Sequence, residues 1–284
     1  MILDKFRLDE KNALVTGSSR GLGTAIAVAL AEAGANVACH GRTTEGVSAS
    51  ERVRQLGRKT LYIEGDISQH ETQLRLVTKT IEAFGSIDIL VNNAGIIRRA
   101  PAAEYPEEYW DEIIAVNLNA VFRLSQLAAQ NMLKRGAKGK IVNIASLLSF
   151  QGGIFVPAYA AAKGGVAQLT KALANEWAAK GINVNAIAPG YIATDNTTGL
   201  RNDPVRNRQI LERIPAGKWA RRTMLPERQY SFVRKLVTTC TATYSRLTAA
   251  GSRVDVECRR LESFVFTLCR FLRISIHVTR VRSN

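Results

Sequence analysis

The sequence predicts an α/β fold in which a doubly wound parallel sheet carries helices on both faces. Two observations support this prediction. Apolar stretches of strand length alternate with amphipathic stretches of helical length, and a glycine cluster directly follows the first apolar stretch. Such alternation is typical of βαβ units, whose right-handed crossovers give one parallel sheet covered by helices. We therefore expect a ligand site at the carboxyl ends of the strands.

Six strands and six helices are predicted in the first 219 residues. The strands are expected at Asn12–Thr16, Asn36–His40, Thr60–Gly65, Ile87–Val91, Lys140–Ala145 and Ile182–Ala188. The helices are expected at about Gly21–Ala33, Glu45–Leu56, Glu71–Phe84, Glu107–Arg135, Pro157–Lys180 and Pro204–Arg213. A chain of 284 residues suits one large domain of this type, or one such domain with an appendage.

Charge and composition divide the chain into two unequal parts. Of the net charge of +15, residues 220–284 carry +9, from 13 Lys and Arg against 4 Asp and Glu. The same segment has one of the 21 glycines and three of the four cysteines. The composition therefore changes near residue 220, and we interpret residues 1–219 and residues 220–284 separately.

The composition also disfavours several classes of protein. No apolar run reaches the roughly 20 residues that span a bilayer, and charged residues interrupt the segment from Met1 to Glu10, unlike a secretory signal. The cysteines have no CxxC spacing, so neither a disulfide framework nor a metal site is expected. We therefore expect a cytoplasmic protein without a metal.

The first predicted strand ends in a glycine-rich loop that leads into a helix. The loop contains Gly17, Gly21 and Gly23, with Ser19, Arg20 and Leu22 between them. Glycines allow a tight turn and a close approach of the backbone to a pyrophosphate, and a helix N-terminus offers free N–H groups to it. The alternative is a plain tight turn. The position between the first strand and an alanine-rich helix favours a dinucleotide site.

The end of the second predicted strand bears on the choice of cofactor. An acidic residue there would bind the adenosine ribose of NAD, but the sequence reads Cys39-His40-Gly41-Arg42. Arg42 and Arg20 could instead meet the 2′-phosphate of NADP, or they are solvated surface arginines. Asp66, after the third strand, could accept a hydrogen bond from the adenine amino group or cap the following helix.

Tyr159 and Lys163 are the leading candidates for acid–base chemistry. They lie four residues apart in a predicted helix and so share one face. A nearby ammonium would lower the pKa of a tyrosine from its usual value near 10. Ser146, after the fifth strand, could hold a substrate oxygen, and Asn117 could kink its helix or hold a water that relays protons to Lys163. A Tyr-x-x-x-Lys pair alone is common and indicates little.

Taken together in order, these motifs resemble the short-chain dehydrogenase/reductase family over residues 8 to about 219. The glycine loop, Asn92-Asn93-Ala94-Gly95, Asn117, Ser146, Tyr159-x-x-x-Lys163 and Pro189-Gly190 carry the resemblance. It implies a Rossmann sheet, with Tyr159 as general acid/base, Ser146 orienting the carbonyl, Lys163 binding the nicotinamide ribose, and Asn117 completing a proton relay. The implied contacts to NAD or NADP are Gly17, Ser19, Arg20, Gly21, Leu22, Gly23, Arg42, Asp66, Ile67, Asn93, Ala94, Gly95, Tyr159, Lys163, Pro189, Gly190, Ile192 and Thr194.

Segments around the predicted site narrow the resemblance to the 2-deoxy-D-gluconate 3-dehydrogenases, also called 2-dehydro-3-deoxy-D-gluconate 5-dehydrogenases. The segments are Ile97–Arg99, Ser146–Gly153, Ala188–Thr194 and Arg213–Trp219. A sugar-acid carboxylate needs an arginine partner, for which Arg98 is our candidate, although Arg98 and Arg99 could be an exposed loop pair. Gln151 and Asn196 could bind hydroxyls, beside Ser146 and Tyr159. Gluconate ketones and 3-oxoacyl thioesters are alternative substrates.

After Trp219 the resemblance stops, and residues 220–284 lack the expected helix, seventh strand and glycine turn. A shifted reading of the permitted codons from Arg222 onward includes Leu-Ala-Val-Asp-Gly-Gly-Trp-Leu-Ala-Arg, followed by a stop codon at the Val254–Asp255 junction. This hidden frame looks like the missing terminus of the family. We therefore hypothesise a frameshift near codons 220–222, which leaves an out-of-frame basic tail that we expect to be poorly ordered.

Such a tail has consequences for the whole chain. We expect the seventh strand to be lost, which would leave six strands and an unpaired edge on the sixth. The family resemblance implies a homotetramer, which the altered terminus puts in doubt. The altered terminus also makes an inactive product of a frameshifted gene an alternative to an active enzyme. A competing interpretation is a real basic module that binds a membrane surface or a nucleic acid through Leu261–Val278. We favour the frameshift over the basic module, and we expect neither a membrane nor a nucleic acid as a partner.

Overall fold

The computed structural model of the protein describes residues 7–44, 47–194, 197–220 and 244–247. One parallel sheet runs through this part of the chain, with the strand order β3-β2-β1-β4-β5-β6-β7. Its strands are β1 (Asn12–Val15), β2 (Asn36–Gly41), β3 (Thr60–Glu64), β4 (Ile89–Asn92), β5 (Gly139–Ile144), β6 (Ile182–Pro189) and β7 (Tyr244–Leu247). The chain winds outward in one direction from β1 to β3, then returns to β4 and winds in the other. The prediction of a doubly wound parallel sheet is therefore confirmed.

Helices cover both faces of the sheet. They are α1 (Gly21–Glu32), α2 (Ser48–Gln55), α3 (His70–Phe84), α4 (Glu107–Ile114), α5 (Ala120–Lys134), α6 (Leu148–Gln151), α7 (Pro157–Trp177), α8 (Thr198–Asn202) and α9 (Pro204–Glu212). Short 3₁₀ turns lie at Ala102–Glu104 and Ala178–Lys180. Among the described residues, no helix combines the length and apolar character that crossing a membrane requires.

The core consists of two apolar layers, one on each face of the sheet. Successive residues of a strand point to opposite faces, so Val15 of β1 packs in the layer under α1 and α2, whereas its neighbour Leu14 packs under α3, α5 and α7. Both side chains are fully buried. Burial on both faces explains why the central strands β1 and β4 read as short apolar runs rather than as alternating ones.

The long helix predicted at Glu107–Arg135 differs from the structure in its middle. A π-helical turn, Ala115–Asn119, interrupts it between α4 and α5. Single π turns within α-helices often occur at functional sites, because the extra residue turns a side chain out of the regular helical row. Asn117 lies at the centre of this turn, where the sequence analysis had allowed for a kink. The short helices α6 and α8 have too few residues to show a periodic pattern and were not predicted.

The predicted loss of the seventh strand also differs from the structure. Tyr244–Leu247 lies parallel to β6, in the register Ala186↔Tyr244 to Pro189↔Leu247, so this edge of β6 is paired. A parallel ladder uses backbone N–H and C=O groups that any residue other than proline offers, so an edge strand depends less on its sequence than a buried one. The frameshift hypothesis otherwise concerns residues 221–243 and 248–284, which lie outside the described residues.

Candidate active site

The candidate site lies at the carboxyl ends of β1, β4 and β5, where the winding of the sheet reverses between β1 and β4. In open α/β sheets the crossovers on either side of such a reversal leave a crevice that binds ligands. The glycine loop, the Asn93–Gly95 segment and the loop after β5 all open into this region. The motifs that the sequence spreads over 180 residues therefore meet at one edge of the sheet.

The glycine loop requires glycine at two positions. Gly17 has a φ of 62°, and a Cβ there would lie 2.7 Å from Cα of Ala94. A Cβ at Gly23, inside the first turn of α1, would lie 2.1 Å from the carbonyl oxygen of Gly17. Helix α1 begins at Gly21 without a side-chain cap, so its first N–H groups remain available to a phosphate. The loop thus has the close backbone approach that a pyrophosphate needs.

Asn93 holds this loop against the end of β4. Its Nδ2 donates to the carbonyl oxygens of Thr16 (3.0 Å) and Gly17 (2.9 Å). In return, the Thr16 hydroxyl accepts the N–H groups of Asn93 and Ala94, both at 3.0 Å. The Asn93 side-chain amide therefore bonds to the glycine loop and helps to fix the expected cofactor site.

The adenosine end of the crevice, at the ends of β2 and β3, has a buried floor and an exposed rim. Arg20 and Arg42 are exposed on the rim, whereas Ile67 is buried. Asp66 is exposed, and its Oδ1 accepts the N–H of Ser68 (2.9 Å) in a local turn. It does not cap the following helix, as one of the two interpretations had it, because the N-cap of α3 is Gln69. Gly41 is buried, and a Cβ on it would lie 2.1 Å from the Tyr62 hydroxyl oxygen.

Tyr159 and Ser146 face each other at the catalytic end. Burial raises the pKa of Tyr159 above its usual value near 10, while a hydrogen bond with the Ser146 hydroxyl and the charge of Arg99 act in the opposite direction. Ser146 also accepts the N–H of Leu148 (3.1 Å), which fixes its hydroxyl at the start of α6. The two hydroxyls thus form a pair that can bind one carbonyl oxygen.

Lys163 is buried one helical turn after Tyr159. Its Nζ lies 5.8 Å from the centroid of the Tyr159 ring and donates to the carbonyl oxygen of Ile144 at the end of β5. Burial lowers the pKa of Lys163 to about 8. In the structure Ser146 and Arg99 act to lower the pKa of Tyr159. The expected contribution of Lys163, whose ammonium donates to Ile144, stays a prediction.

Asn117 is fully buried beneath the same site. Its Oδ1 accepts the N–H of Ile96 (2.9 Å), and its Nδ2 donates to the carbonyl oxygen of the same residue (2.8 Å). A Cβ on Gly95 would lie 3.2 Å from Asn117 Oδ1 and 3.7 Å from Lys163 Nζ, so the three residues adjoin. The side chain thus fixes the backbone after β4, and a proton relay through Asn117 stays a prediction.

The two neighbouring arginines after β4 have different surroundings. Arg98, the predicted carboxylate ligand, pairs with Glu112 (Nη2 to Oε1, 2.8 Å), and its guanidinium carbon lies 5.9 Å from the Tyr109 ring centroid. Arg99 is exposed, and it interacts electrostatically with Tyr159 and Arg206: partial burial lowers its pKa, the tyrosine opposes this shift, and Arg206 adds to it. Of the two arginines, Arg99 is therefore the one whose charge acts on the Tyr159 hydroxyl.

The remaining predicted residues follow β5 and β6 in the chain. Gln151 is exposed at the end of α6, and Asn196 lies outside the described residues. Pro189 ends β6 and Gly190 follows it, and the Pro189 carbonyl oxygen accepts the N–H of Leu147 (3.0 Å). Ile192 is buried and forms an isolated bridge with Ala220.

Thr194 belongs to the same segment. Its N–H donates to the Thr197 hydroxyl (3.0 Å), and its carbonyl oxygen accepts from the same hydroxyl (2.9 Å). The backbone of Thr194 is thus fixed by the Thr197 side chain.

Ser149 was missed by the sequence analysis. Its hydroxyl donates to the carbonyl oxygen of Lys163 (2.7 Å) and accepts the N–H of Ser146 (3.3 Å), so it ties the Ser146 loop to α7. The spacing Ser146-x-x-Ser149 after a strand is typical of a local hydroxyl-capped turn and was an available signal. Arg206 of α9 was also missed, since no local pattern indicates that α9 approaches Arg99.

Comparison with known proteins identifies relatives of this chain. A model described as short chain dehydrogenase matches residues 11–205. A 2-dehydro-3-deoxy-D-gluconate 5-dehydrogenase of Bacillus subtilis (strain 168) is 54% identical over 218 residues, which are 76% of this chain and 84% of that protein. A solved structure from Agrobacterium tumefaciens with bound NADP is 48% identical with a TM-score of 0.77, and the match covers 86% of this chain and 96% of that chain.

A second solved structure is more distant in sequence. It is a gluconate 5-dehydrogenase from Burkholderia cenocepacia J2315 in complex with NADP and tartrate. It is 35% identical with a TM-score of 0.80, and the match covers 87% of this chain and 97% of that chain. Within the described residues, no cluster of three or more His, Cys, Asp or Glu side chains has a geometry suited to a metal ion.

Proposed function

The chain belongs to the short-chain dehydrogenase family and is an NAD(P)-dependent oxidoreductase of CH–OH groups, and we propose that its substrate is a deoxy sugar acid. The reaction would interconvert a secondary alcohol and a ketone on a compound of the 2-deoxy-D-gluconate or 2-dehydro-3-deoxy-D-gluconate type. One observation carries the proposal: the positive charge of Arg99 acts on Tyr159, whose hydroxyl pairs with that of Ser146. A guanidinium beside a carbonyl-binding pair suits a substrate that has both a ketone and a carboxylate.

The residues present fit a nicotinamide dinucleotide. The glycine loop leaves no room for a Cβ at Gly17 or Gly23, which is the approach that a pyrophosphate requires. The cofactor, when bound, supplies or accepts the hydride. Of the predicted contacts, the glycine loop would hold the phosphates, and the Asp66–Ile67 segment would border the adenine. Asn93 would lie beside the adenosine, and the Pro189–Thr194 segment would lie along the nicotinamide end.

The chain's own residues supply the proton chemistry. In the direction of reduction, Ser146 Oγ donates a hydrogen bond to the substrate carbonyl oxygen, and Tyr159 Oη gives its proton to that oxygen as the alcohol forms. In oxidation the Tyr159 phenolate takes the proton back. Lys163, a cation in the same buried region, favours the phenolate in that direction, and Asn117 keeps the Gly95–Ile96 backbone in place beside Lys163.

Arg99, and not Arg98, is our proposed ligand for the substrate carboxylate. Arg98 already pairs with Glu112, and releasing it would leave that carboxylate without its partner. Arg99 and Arg206 adjoin each other as two like charges, an arrangement that an incoming anion stabilises. Gln151 and Asn196 remain candidates for the hydroxyl groups.

NADP is our proposed cofactor in preference to NAD. Position 41, where an acidic side chain would bind the ribose of NAD, is a glycine, and a Cβ there would lie 2.1 Å from the Tyr62 hydroxyl oxygen and 2.9 Å from Cβ of Ser19, so that Tyr62 would have to move. The exposed guanidiniums of Arg20 and Arg42 would instead pair with the 2′-phosphate. The relatives from Agrobacterium tumefaciens and Burkholderia cenocepacia solved with NADP support this preference.

Gluconate 5-dehydrogenase activity is the second candidate, supported by the Burkholderia relative of that name. A 3-oxoacyl thioester is the less favoured substrate, since it has no carboxylate for Arg99. We also propose a cytoplasmic homotetramer, as the family resemblance implies. Turnover of each compound with NADPH and with NADH, followed by the reduced-nicotinamide absorbance, tests these alternatives. Turnover of thioesters alone would contradict the sugar-acid assignment.

We retain the frameshift hypothesis as a proposal for residues 220–284. Its test is the nucleotide sequence, together with assays of this chain and of a frame-restored chain. Activity in both would indicate that the tail does no harm to the site. Activity only in the restored chain would support the alternative that this chain is an inactive product.

A further inference from the structure

Beneath the cofactor site lies His40, a buried histidine for which the proposed chemistry has no use. It lies in β2 and is 3% exposed. Its Nδ1 accepts the N–H of Gly17 (3.1 Å), and its Nε2 lies 3.0 Å from the carbonyl oxygen of Gly65. Since Nδ1 accepts, the ring proton is on Nε2, which donates to Gly65. One neutral imidazole thus joins the glycine loop to the turn after β3.

The backbone of His40 holds the same loop. Its N–H donates to the Ser18 hydroxyl (2.9 Å), and its carbonyl oxygen accepts the N–H of Ser18 (2.8 Å). These backbone contacts remain whatever side chain stands at position 40. The bond from Gly17 N–H to the His40 ring, by contrast, depends on the side chain. It orients Gly17, whose φ of 62° sets the start of the loop.

We propose that His40 is a positioning residue that joins the phosphate-binding loop at Gly17 to the adenine-binding turn at Gly65, and that its protonation loosens this connection. A protonated ring has a hydrogen on Nδ1 and cannot accept from Gly17, so two N–H groups then face each other. Cofactor affinity therefore falls at low pH, while the catalytic hydroxyls, at the other end of the crevice, are unaffected. The inference rests on the proposed cofactor site but not on the proposed substrate.

The charges around the ring are few. Burial lowers the pKa of His40 below its usual value of 6.5, the contact with the Gly65 carbonyl oxygen opposes this, and the opposite charges of Asp66 and Arg75 act in opposite directions. The glycine loop has no titratable side chain between Thr16 and Ser19, and Arg20 and Arg42 are exposed. The pKa of His40 is lower when its ring is buried and bonded to Gly17 than when the ring is free, so the bonded state is favoured at neutral pH. The bonded state is lost as the pH falls below about 6.5, the ordinary pKa of a free histidine.

Binding of NADPH to the full chain tests this inference, measured from pH 8 to pH 5.5 by the cofactor's fluorescence. The variants are His40→Asn, whose Oδ1 can still accept from Gly17 but cannot reach Gly65, and His40→Phe, which has the ring and neither nitrogen. His70→Asn, an exposed histidine at the start of α3, is the matched control. Dividing each variant's Kd by that of the wild type at the same pH cancels the titration of the cofactor's own 2′-phosphate.

We expect His40→Phe to raise the Kd about tenfold at pH 8, the scale of one hydrogen bond lost with its donor left buried. His40→Asn should stay within about threefold, because it restores the acceptor. Below pH 6.5 the wild type should weaken relative to His40→Asn by several-fold, with the turnover number at saturating NADPH unchanged. His70→Asn should follow the wild type throughout.

Two results would overturn the inference. One is a Kd for His40→Phe equal to that of the wild type, and the other is a ratio of wild type to His40→Asn that does not change with pH. If His40→Phe fails to fold, the pH profile of His40→Asn alone decides. A wild type that fails to bind NADPH would refute the proposed cofactor site, whereas binding without turnover of sugar acids would refute only the proposed substrate.

Discussion

The two ends of the crevice are built from different materials. At the catalytic end, buried side chains bond to the backbone of neighbouring strands: Asn117 to Ile96 and Lys163 to Ile144. At the adenosine end, the rim consists of the exposed side chains of Arg20 and Arg42, above a floor held by His40. The catalytic end is thus fixed by buried hydrogen bonds, whereas the proposed selectivity for the cofactor rests on exposed side chains.

The catalytic end should show the largest effect of a single substitution. Tyr159→Phe removes the proton donor while keeping the ring, so we expect turnover to fall by about 10²–10⁴-fold, the usual contribution of general acid–base catalysis. NADPH binding should remain within twofold. Tyr109→Phe, at a position outside the hydroxyl pair, is the matched control. Turnover by Tyr159→Phe near the wild-type rate would remove Tyr159 from the mechanism.

The two adjacent arginines provide a sharper contrast within the same end. Loss of a charge-assisted hydrogen bond to the substrate should make Arg99→Gln raise KM for the sugar acid by about 10–100-fold. The Arg98→Gln variant should change KM by less than about threefold, since Arg98 is engaged by Glu112. With the corresponding lactone, which has no carboxylate, the KM values of the two variants should differ little. Equal losses in both variants would contradict our assignment.

The sequence indicated which residues meet around Tyr159, but not the surroundings of the two arginines, for a physical reason. Tyr159 and Lys163 are linked by helical spacing, and Ser146 by its place after a strand, so local pattern is enough. The pairing of Arg98 with Glu112 and the interactions of Arg99 with Tyr159 and Arg206 are set by tertiary packing. The edge strand β7 escaped prediction for a similar reason: its pairing to β6 uses backbone groups that leave no pattern in the sequence.

The adenosine end should respond more modestly. An Arg42→Ala variant should raise the Kd for NADPH by about tenfold and leave that for NADH unchanged, because only NADPH has the 2′-phosphate.

Gly41→Asp should weaken binding of both cofactors, since Tyr62 and Ser19 occupy the space of the new side chain. Tighter binding of NADH to Gly41→Asp would show that the position is less restricted than the structure indicates.

The smallest expected effect is a difference in pH dependence between the oxidation and the reduction reactions. Oxidation needs the Tyr159 phenolate, and burial raises the pKa of Tyr159, so the oxidation rate should keep rising as the pH increases from 7 to 9. Reduction uses the protonated tyrosine and should stay nearly flat over that range. Initial rates in both directions at saturating cofactor provide the measurement. A plateau in oxidation below pH 8 would indicate that burial does not govern this hydroxyl.

The most direct test of the central claim is NADPH oxidation by the full chain in the presence of 2-dehydro-3-deoxy-D-gluconate, with Tyr159→Phe alongside. Our account predicts oxidation that depends on the sugar acid in the wild type and falls by about 10²–10⁴-fold in the variant. A folded wild-type chain that binds NADPH and oxidises it with none of the sugar acids would contradict the account.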